Sequence, residues 1–192
     1  MKKKSQLREW IESFIIAAAL VVFLRTFFFQ LYKIPTESMV PTLMKGDKIF
    51  VSKLTYGPKI PFTRLRIRGF RRPQRGDVIV FVPPVESGDR NKPYVKRVIA
   101  VGGERVSIKD GNIYINGRLC TDPKIATFFY YNFGEYGREG LEVEVQKGKY
   151  YVLGDNSFTS KDSRYWGFVD EIDIIGRVVF IWFPPKRIGI VE

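Results

Sequence analysis

An apolar run near the N-terminus constrains the fold of this chain more than any other feature. Residues 14–24 are apolar without interruption, and residues 10–32 extend the run across Glu12, Arg25 and Gln30, with aromatic residues dense at the far end. About 23 residues of this composition can cross a bilayer as a helix. We therefore predict a transmembrane anchor over residues 10–32, with residues 27–32 as an interfacial aromatic belt.

Two other structures compete for the same run. A cleavable signal peptide fits because Lys2, Lys3 and Lys4 resemble its basic start, and a buried core helix fits because the strictly apolar part is short. No small-x-small cleavage site follows the run, since residues 25–29 are Arg-Thr-Phe-Phe-Phe. This favours an uncleaved signal anchor. The lysines and Arg8 predict a short cytoplasmic segment, 1–9, with the chain beyond about residue 32 outside.

The chain after the anchor, residues 33–192, has the pattern of an antiparallel β domain. Short runs of Val, Ile and Phe are separated by Gly, Pro, Asn and Asp. These runs are 48–52, 77–82, 94–101, 105–108, 112–115, 150–153 and 174–183. Asp110-Gly111 and Asn116-Gly117 lie between or after such runs, where tight hairpins are expected. The predicted fold class is mainly β, an antiparallel β-sheet domain preceded by one N-terminal transmembrane helix.

The composition excludes several kinds of hydrolase. The chain of 192 residues contains no histidine, so neither a Ser-His-Asp nor a Cys-His site can be built from it. The single cysteine, Cys120, can form no disulfide within the chain and lacks the neighbours of a metal site. We expect neither a metal nor a cofactor. A general base near neutral pH must be a carboxylate with a raised pKa or a lysine with a lowered one.

The formal charge of +12 favours an acidic partner. Six arginines fall within residues 64–75, which we interpret as an exposed loop or edge. They form either a solvated face that protects a sheet edge or a contact with anionic lipid headgroups. Nucleic acid is the weakest candidate partner, because no reader motif accompanies the charge and a domain beyond the membrane would not meet nucleic acid.

Three segments carry residues suited to chemistry. In residues 34–43, Pro35 and Pro41 bracket Ser38 and hold its backbone extended, although such a serine is most often a turn residue. In residues 94–99, strand alternation places Lys96 on the face of Tyr94 and directs Arg97 the opposite way. One of the two cations must then face a partly apolar layer, unless Lys96 extends outward or pairs with a carboxylate.

The third segment, residues 154–167, is rich in small polar side chains beside arginine and tryptophan, which indicates a hydrogen-bonded supporting loop or a capped surface turn. Together the three segments resemble the conserved motifs of bacterial type I signal peptidases, which are serine proteases with a Ser/Lys dyad. The resemblance runs from the anchor and the Ser38 segment through three further matching segments to the last loop. These segments are 46–51, 75–81, 94–103 and 154–169.

The resemblance implies roles for individual residues. Ser38 would be the nucleophile and Lys96 its general base, while the Ser160 hydroxyl would orient the lysine amine. Thr36 lies where the family places a hydroxyl that helps the Ser38 N–H form an oxyanion hole. Residues that correspond to the family's substrate pocket, which accepts small side chains, are Tyr32, Ile34, Met39, Leu43, Tyr94 and Val95.

Asp162 and Arg164 resemble a structural ion pair that holds the last loop. The sequence departs from the family at Ser157, where many members carry arginine, and at Lys161, which adds charge beside the loop. Neither departure touches the dyad, but both leave the rigidity of the loop in question. Residues 122–148 match no part of the family pattern.

By this resemblance the chain would be a membrane-bound endopeptidase that removes signal peptides from secretory preproteins after small residues at positions −1 and −3, through an acyl-enzyme. It would cross the cell membrane once, with an extracytoplasmic peptidase domain, 33–192. Anionic lipids are an expected partner, and the sequence leaves open an association with the secretion channel. The competing interpretations are a self-cleaving repressor-type Ser/Lys peptidase and a noncatalytic membrane-tethered β domain.

Overall fold

An exposed helix, α1 (Gln6–Phe27), begins the computed structural model, which describes residues 6–61, 63, 65–88 and 90–191. Its 22 residues are about 33 Å long, enough to cross a hydrocarbon core of about 30 Å. None of them is buried, and the mean hydropathy is 1.8. A core helix is therefore excluded. The three lysines at positions 2–4 lie outside the described residues.

The helix begins four residues before the predicted anchor, and it ends at Phe27 rather than residue 32 because the chain joins a sheet directly after it. Strand β1 (Phe29–Lys33) pairs antiparallel with β2 (Lys48–Ser52), so the last part of the predicted anchor is a strand rather than helix. The Phe29 ring stacks on Phe50 at a centroid distance of 5.0 Å. Lys53 Nζ donates to the carbonyl oxygens of Arg25 at 2.7 Å and Thr26 at 3.3 Å, which caps the helix end.

All seven predicted runs form strands, and five short strands were not predicted: β1, β7, β8, β10 and β12. The remaining strands are β3 (Val78–Phe81), β4 (Tyr94–Val101), β5 (Arg105–Lys109), β6 (Asn112–Ile115), β7 (Arg118–Leu119), β8 (Val143–Glu144), β9 (Lys149–Leu153), β10 (Val169–Asp170), β11 (Ile174–Phe183) and β12 (Gly189–Ile190). Two short helices are α2 (Pro123–Ala126) and α3 (Ser163–Trp166). The mainly antiparallel β fold is confirmed.

The strands form two antiparallel sheets. The first has the order β1-β2-β11-β3-β4-β9-β10, with β12 on β11, and the second has the order β7-β6-β5-β8. Strand β3 illustrates why the first sheet is buried on both faces. Its alternate residues Val78 and Val80 pack in one core cluster, whereas Ile79 and Phe81 pack in another. Packed side chains therefore cover both faces of this strand.

The two predicted hairpins have the expected turn geometry. Asp110 and Gly111 join β5 to β6 with φ angles of 49° and 76°, and Asn116 and Gly117 join β6 to β7 with φ angles of 50° and 75°. Positive φ at both central residues is the requirement of a type I′ turn, which Asn-Gly and Asp-Gly satisfy at little cost.

The arginine-rich segment is largely an exposed loop, as predicted, but two of its arginines are half-buried. The Arg71 guanidinium donates to both carboxylate oxygens of Asp77, at 2.6 and 2.8 Å. Arg66 donates to the carbonyl oxygens of Gly57 and Ile174, which ties the segment to β11. Arg72 and Arg68 face outward, and Arg64 lies outside the described residues. Some arginines of this segment therefore form hydrogen bonds and ion pairs that hold the fold together, and others face solvent.

Candidate active site

Ser38 and Lys96 meet in a buried pair. The Nζ atom of Lys96 donates to Oγ of Ser38 at 2.6 Å, and the two residues are 4% and 8% exposed. Ser38 lies in a turn after β1, closed by hydrogen bonds from Val40 N to the Glu37 carbonyl oxygen and from Leu43 N to the Met39 carbonyl oxygen. The turn carries the hydroxyl to a lysine that is 58 positions away in sequence.

The strand position of Lys96 follows the predicted alternation. Lys96 is opposite Ile79 in the pairing of β4 with β3, and its Nζ lies 6.0 Å from the ring centre of Tyr94 on the same face. Val98, two residues along, packs in a cluster with Phe81. The amine is thus held between apolar side chains rather than extended into water.

Burial lowers the pKa of Lys96 to about 8, because the ammonium form loses its hydration. The carboxylates of Asp162 and Asp155 oppose this effect, and Arg164 reinforces it. Within the described ranges, Lys96 has no carboxylate within ion-pair distance, and no cluster of three or more metal-ligating side chains occurs. A substantial fraction of the amine is neutral near pH 8.

The loop after β9 is bonded to the backbone of the Ser38 turn. Asn156 N donates to the Ser38 carbonyl oxygen at 3.1 Å, and Asn156 Nδ2 donates to the Glu37 carbonyl oxygen at 3.3 Å. At Gly154 a Cβ atom would lie 2.4 Å from the Ser38 carbonyl oxygen and 2.3 Å from Oγ of Ser160. Only glycine allows the two segments to approach so closely.

Asp162 and Arg164 form a fully buried ion pair. Arg164 donates to both carboxylate oxygens, at 2.8 and 2.9 Å, and Asp162 also accepts from Gly154 N at 3.0 Å. The guanidinium donates as well to the carbonyl oxygens of Ser157 and Ser160 at 2.8 and 3.2 Å. The pair thus fixes the loop at several points along its length.

Arg97 does point away from the dyad, as predicted, but it is also buried. Its guanidinium donates to both carboxylate oxygens of Asp155 at 2.8 Å and to the Gly76 carbonyl oxygen at 2.7 Å. Thr42 Oγ1 donates to the same carboxylate at 2.5 Å. Both adjacent cations of β4 are therefore buried. Arg97 binds Asp155 near the start of the loop between β9 and α3, residues 154–162, which we term the catalytic loop because it borders Ser38.

Ser157, which stands where many family members carry arginine, is hydrogen-bonded to the segment 122–148, the part of the chain that matched no family pattern. Ser157 Oγ accepts from Arg164 Nη1 at 2.6 Å and from Tyr131 N at 2.9 Å. Arg164 also donates to the Tyr131 carbonyl oxygen at 2.9 Å. The serine hydroxyl therefore joins the catalytic loop to Tyr131, and these hydrogen bonds hold the loop at the position where many family members carry arginine.

The hydroxyls of Thr36 and Ser160 both lie near Ser38, and they differ in their hydrogen bonding. Thr36 Oγ1 is 3.4 Å from Ser38 Oγ. Ser160 is 3% exposed, and its Oγ has no hydrogen-bond partner among the described residues, so the expected bond to the lysine amine is not formed. The Ser160 side chain instead borders Gly154 next to the Ser38 backbone.

A cleft of about 300 Å³ opens beside Ser38 and Lys96. Four of the six predicted pocket residues line it: Ile34, Met39, Tyr94 and Val95. Leu43 is fully buried in the core, and Tyr32 packs against the same core cluster, so neither reaches the cleft. Lining residues that the sequence did not indicate as pocket residues are Pro35, Lys92, Pro93, Thr159 and Lys161.

Comparisons with known proteins point to one family. The family profile described as signal peptidase, peptidase S26, matches residues 7–183. A probable signal peptidase I-2 of Synechocystis sp. is 33% identical over 98% of this chain and 81% of its own length. Signal peptidase I of Bacillus licheniformis is 33% identical over 97% of this chain and 94% of its own. The crystal structure of a signal peptidase I from Enterococcus faecalis V583 is 30% identical, with a TM-score of 0.43, over 56% of this chain and 97% of that one.

The Arg97–Asp155 pair predicts a stability effect distinct from catalysis. Arg97→Ala leaves the Asp155 carboxylate buried without its ionic partner, which is expected to lower the free energy of unfolding by about 3–5 kcal/mol. Replacing both residues by apolar side chains, Arg97→Met with Asp155→Leu, is expected to cost less. Denaturant unfolding of the protein in detergent micelles measures both, and a loss below about 1 kcal/mol for Arg97→Ala contradicts this assignment.

Proposed function

The chain belongs to the signal peptidase family, peptidase S26, serine proteases that remove signal peptides from preproteins, and we propose that Ser38 and Lys96 perform this cleavage. The observation that carries the proposal is the 2.6 Å contact between a buried hydroxyl and a buried amine in a chain without histidine. A self-cleaving repressor and a noncatalytic β domain fit less well, because the chain has an apolar helix and matches this peptidase family over nearly its full length.

In the proposed mechanism, the neutral amine of Lys96 accepts the Ser38 hydroxyl proton while Oγ attacks the scissile carbonyl carbon. The tetrahedral intermediate expels the amine of the following residue, which receives the proton from the Lys96 ammonium. The acyl-enzyme on Ser38 is then hydrolysed by a water molecule that the same amine deprotonates. The lowered pKa of Lys96, about 8, supports both roles of the amine.

Neighbouring groups support the charge changes of this reaction. The Ser38 N–H donates to no other described residue, and Thr36 Oγ1 lies beside Ser38, so the two are proposed to bind the oxyanion. A buried hydroxyl without a partner is uncommon, and the Ser160 hydroxyl is proposed to bond the Lys96 amine when a substrate is bound.

The cleft supports a preference for small side chains at positions −1 and −3. Ile34, Met39, Tyr94 and Val95 restrict its width beside the dyad. Ile34 and Met39 are 3% and 1% exposed and belong to a packed core cluster, so they cannot move aside without disturbing that cluster. A bulky residue next to the scissile bond would therefore be excluded.

The apolar helix fits the membrane anchoring of this family, and the basic residues before it support an N-terminus in the cytoplasm. The peptidase domain would then lie outside. Ser38 follows the helix end by eleven positions, with β1 between them, so the cleft lies close to the outer membrane surface.

The outward arginines support a contact between this domain and anionic lipid. A groove at the end of α1 brings the helix together with the arginine-rich segment, and its lining includes Phe23, Phe27, Phe28, Ile67, Arg68 and Phe70. Phe23 lies about 6 Å below the helix end, so residues that share its groove lie at the membrane interface. Phe70 is 86% exposed beside Arg68, a combination of apolar and cationic side chains that suits this interface.

Two substitutions separate chemistry from structure. Ser38→Ala is expected to abolish cleavage of a secretory precursor with little change in the thermal unfolding midpoint, because it removes only the nucleophile. Asp162→Asn is expected to lower both activity and that midpoint, because the pair with Arg164 holds the catalytic loop. Cleavage at the wild-type rate by Ser38→Ala would eliminate the assigned nucleophile.

The lowered pKa of Lys96 predicts the pH dependence of cleavage. Because the neutral amine is the active form, kcat/KM is expected to rise about tenfold per pH unit below pH 8 and to level off above it. Lys96→Arg is expected to be inactive at every pH, since guanidinium stays charged. Lys109→Arg, at an exposed position, is the matched control and is expected to keep full activity. A rise centred near about 10.4, the value of a free lysine, would exclude this base.

The lipid contact predicts the depth of Phe70. With Cys120→Ala as background, a label on Phe70→Cys in vesicles containing anionic lipid is expected to be quenched by groups on the acyl chains. A label on Phe158→Cys, also highly exposed but part of the catalytic loop, is the control and is expected to respond to a water-soluble quencher. Equal water accessibility at both positions would rule out the contact.

A further inference from the structure

Four aromatic side chains form an exposed cluster next to the catalytic loop. This aromatic cluster consists of Phe129, Tyr131, Phe133 and Phe158. Tyr131 lies at its centre, with ring centres of Phe129, Phe133 and Phe158 at 5.0, 5.6 and 5.9 Å. Phe158 is 73% exposed, Phe129 58% and Tyr131 44%. Exposed apolar side chains that touch one another in this way are typical of binding sites.

The aromatic cluster is rigidly coupled to the reactive residues. Ser157 Oγ accepts from Tyr131 N, and the buried Arg164 donates to the Tyr131 carbonyl oxygen while its guanidinium lies 5.5 Å from the Phe133 ring centre. The loop that carries Phe158 also provides Asn156, whose N–H binds the Ser38 carbonyl oxygen. The cluster and the nucleophile are therefore parts of one hydrogen-bonded unit.

The aromatic cluster is within reach of a substrate held at Ser38. Phe158 follows Asn156 by two residues, so their Cα atoms are at most about 8 Å apart. An extended polypeptide advances about 3.3 Å per residue, and a few residues beyond the scissile bond cover this distance. The same loop lines the cleft with Thr159 and Lys161, so the cluster begins where that cleft wall ends.

Charge and position favour a polypeptide over lipid as the occupant. Residues 127–137, which carry three of the four rings, include Glu135 and neither lysine nor arginine, whereas anionic headgroups attract cations. The segment packs on the second sheet and β9, through Asn132 Nδ2 to the Ile108 carbonyl oxygen and Tyr151 OH to the Tyr136 carbonyl oxygen. Strand β9 is five strand positions from β1, which follows the anchor, or about 24 Å along the sheet.

We propose that the aromatic cluster binds the first residues of the mature protein, the segment after the scissile bond, and so contributes to substrate selection. This inference rests on the proposed function. Aromatic faces contact apolar side chains without a fixed hydrogen-bond pattern, so the surface suits polypeptides of varied sequence. Substrates with apolar residues two to five positions after the cut gain the most binding energy from these contacts. Substrates with charged residues there gain the least.

Two peptides with the same signal segment and cleavage site test the proposal with the full-length protein in detergent micelles. One peptide ends directly after the cut, and the other continues with several apolar residues. The wild-type kcat/KM is expected to be roughly tenfold higher for the long peptide. In Phe129→Ser/Phe158→Ser the ratio is expected to fall to about one, with the short peptide cleaved about as well as by wild type.

Matched variants complete the design. Phe70→Ser removes an equally exposed aromatic residue outside the aromatic cluster and is expected to keep the tenfold ratio. Phe158→Ser alone, a single change at a 73% exposed position, is used if the double variant folds poorly. If a folded variant keeps the wild-type ratio of kcat/KM for the two peptides, this inference is overturned while the proposed function stands. If vesicles also quench a label at this site strongly, the surface is assigned to lipid. Absence of Ser38-dependent cleavage of both peptides overturns the proposed function and this inference together.

Discussion

Two buried arginine–aspartate pairs, Arg97–Asp155 and Arg164–Asp162, hold the loop that bonds to the Ser38 turn. Burying an ion is costly unless it is paired and hydrogen-bonded, and each carboxylate here accepts two bonds from its arginine and at least one more from Thr42 or the loop backbone. Because the arginines already compensate both carboxylates, Lys96 is buried nearby without an ionic partner of its own among the described residues. Its ammonium form is therefore disfavoured, and the amine can act as a base where the chain has no histidine.

The catalytic loop, residues 154–162, connects the Ser38 turn with the cleft and with the aromatic cluster, the two surfaces proposed to bind a precursor. Its backbone bonds the Ser38 turn through Asn156, its Thr159 and Lys161 line the cleft, and its Phe158 joins the exposed aromatic cluster. On the other side, β1 connects the Ser38 turn to the end of the apolar helix, which Lys53 caps. A substrate that enters from the membrane would thus meet the anchor side first, then the dyad, and then the aromatic surface.

Local patterns in the sequence predicted much of this arrangement, and contacts between distant residues account for what they missed. Short apolar runs bounded by turn residues located seven strands. Period-two alternation indicated the face of Lys96, because the faces of β4 follow directly from its residue order. The strand β1 was missed because its aromatic residues prolong the apolar run of the helix. The burial of Arg97 depends on Asp155, 58 positions away, and no local pattern indicates that pairing. Leu43 resembled a pocket residue by its place in the motif, but packing against the sheet takes it into the core.

Direct titration of the Lys96 amine tests the central claim most closely, because it observes the proposed base without relying on turnover. The protein would be labelled with 13C at the lysine ε carbons and studied by NMR in detergent micelles, with Lys96→Arg identifying the signal. We predict a midpoint of about 8 for Lys96, well below the value of about 10.4 for a free lysine. A Lys96 midpoint of about 10.4, the value of a free lysine, would contradict the account, because the amine would then remain charged at the pH where cleavage is proposed to occur.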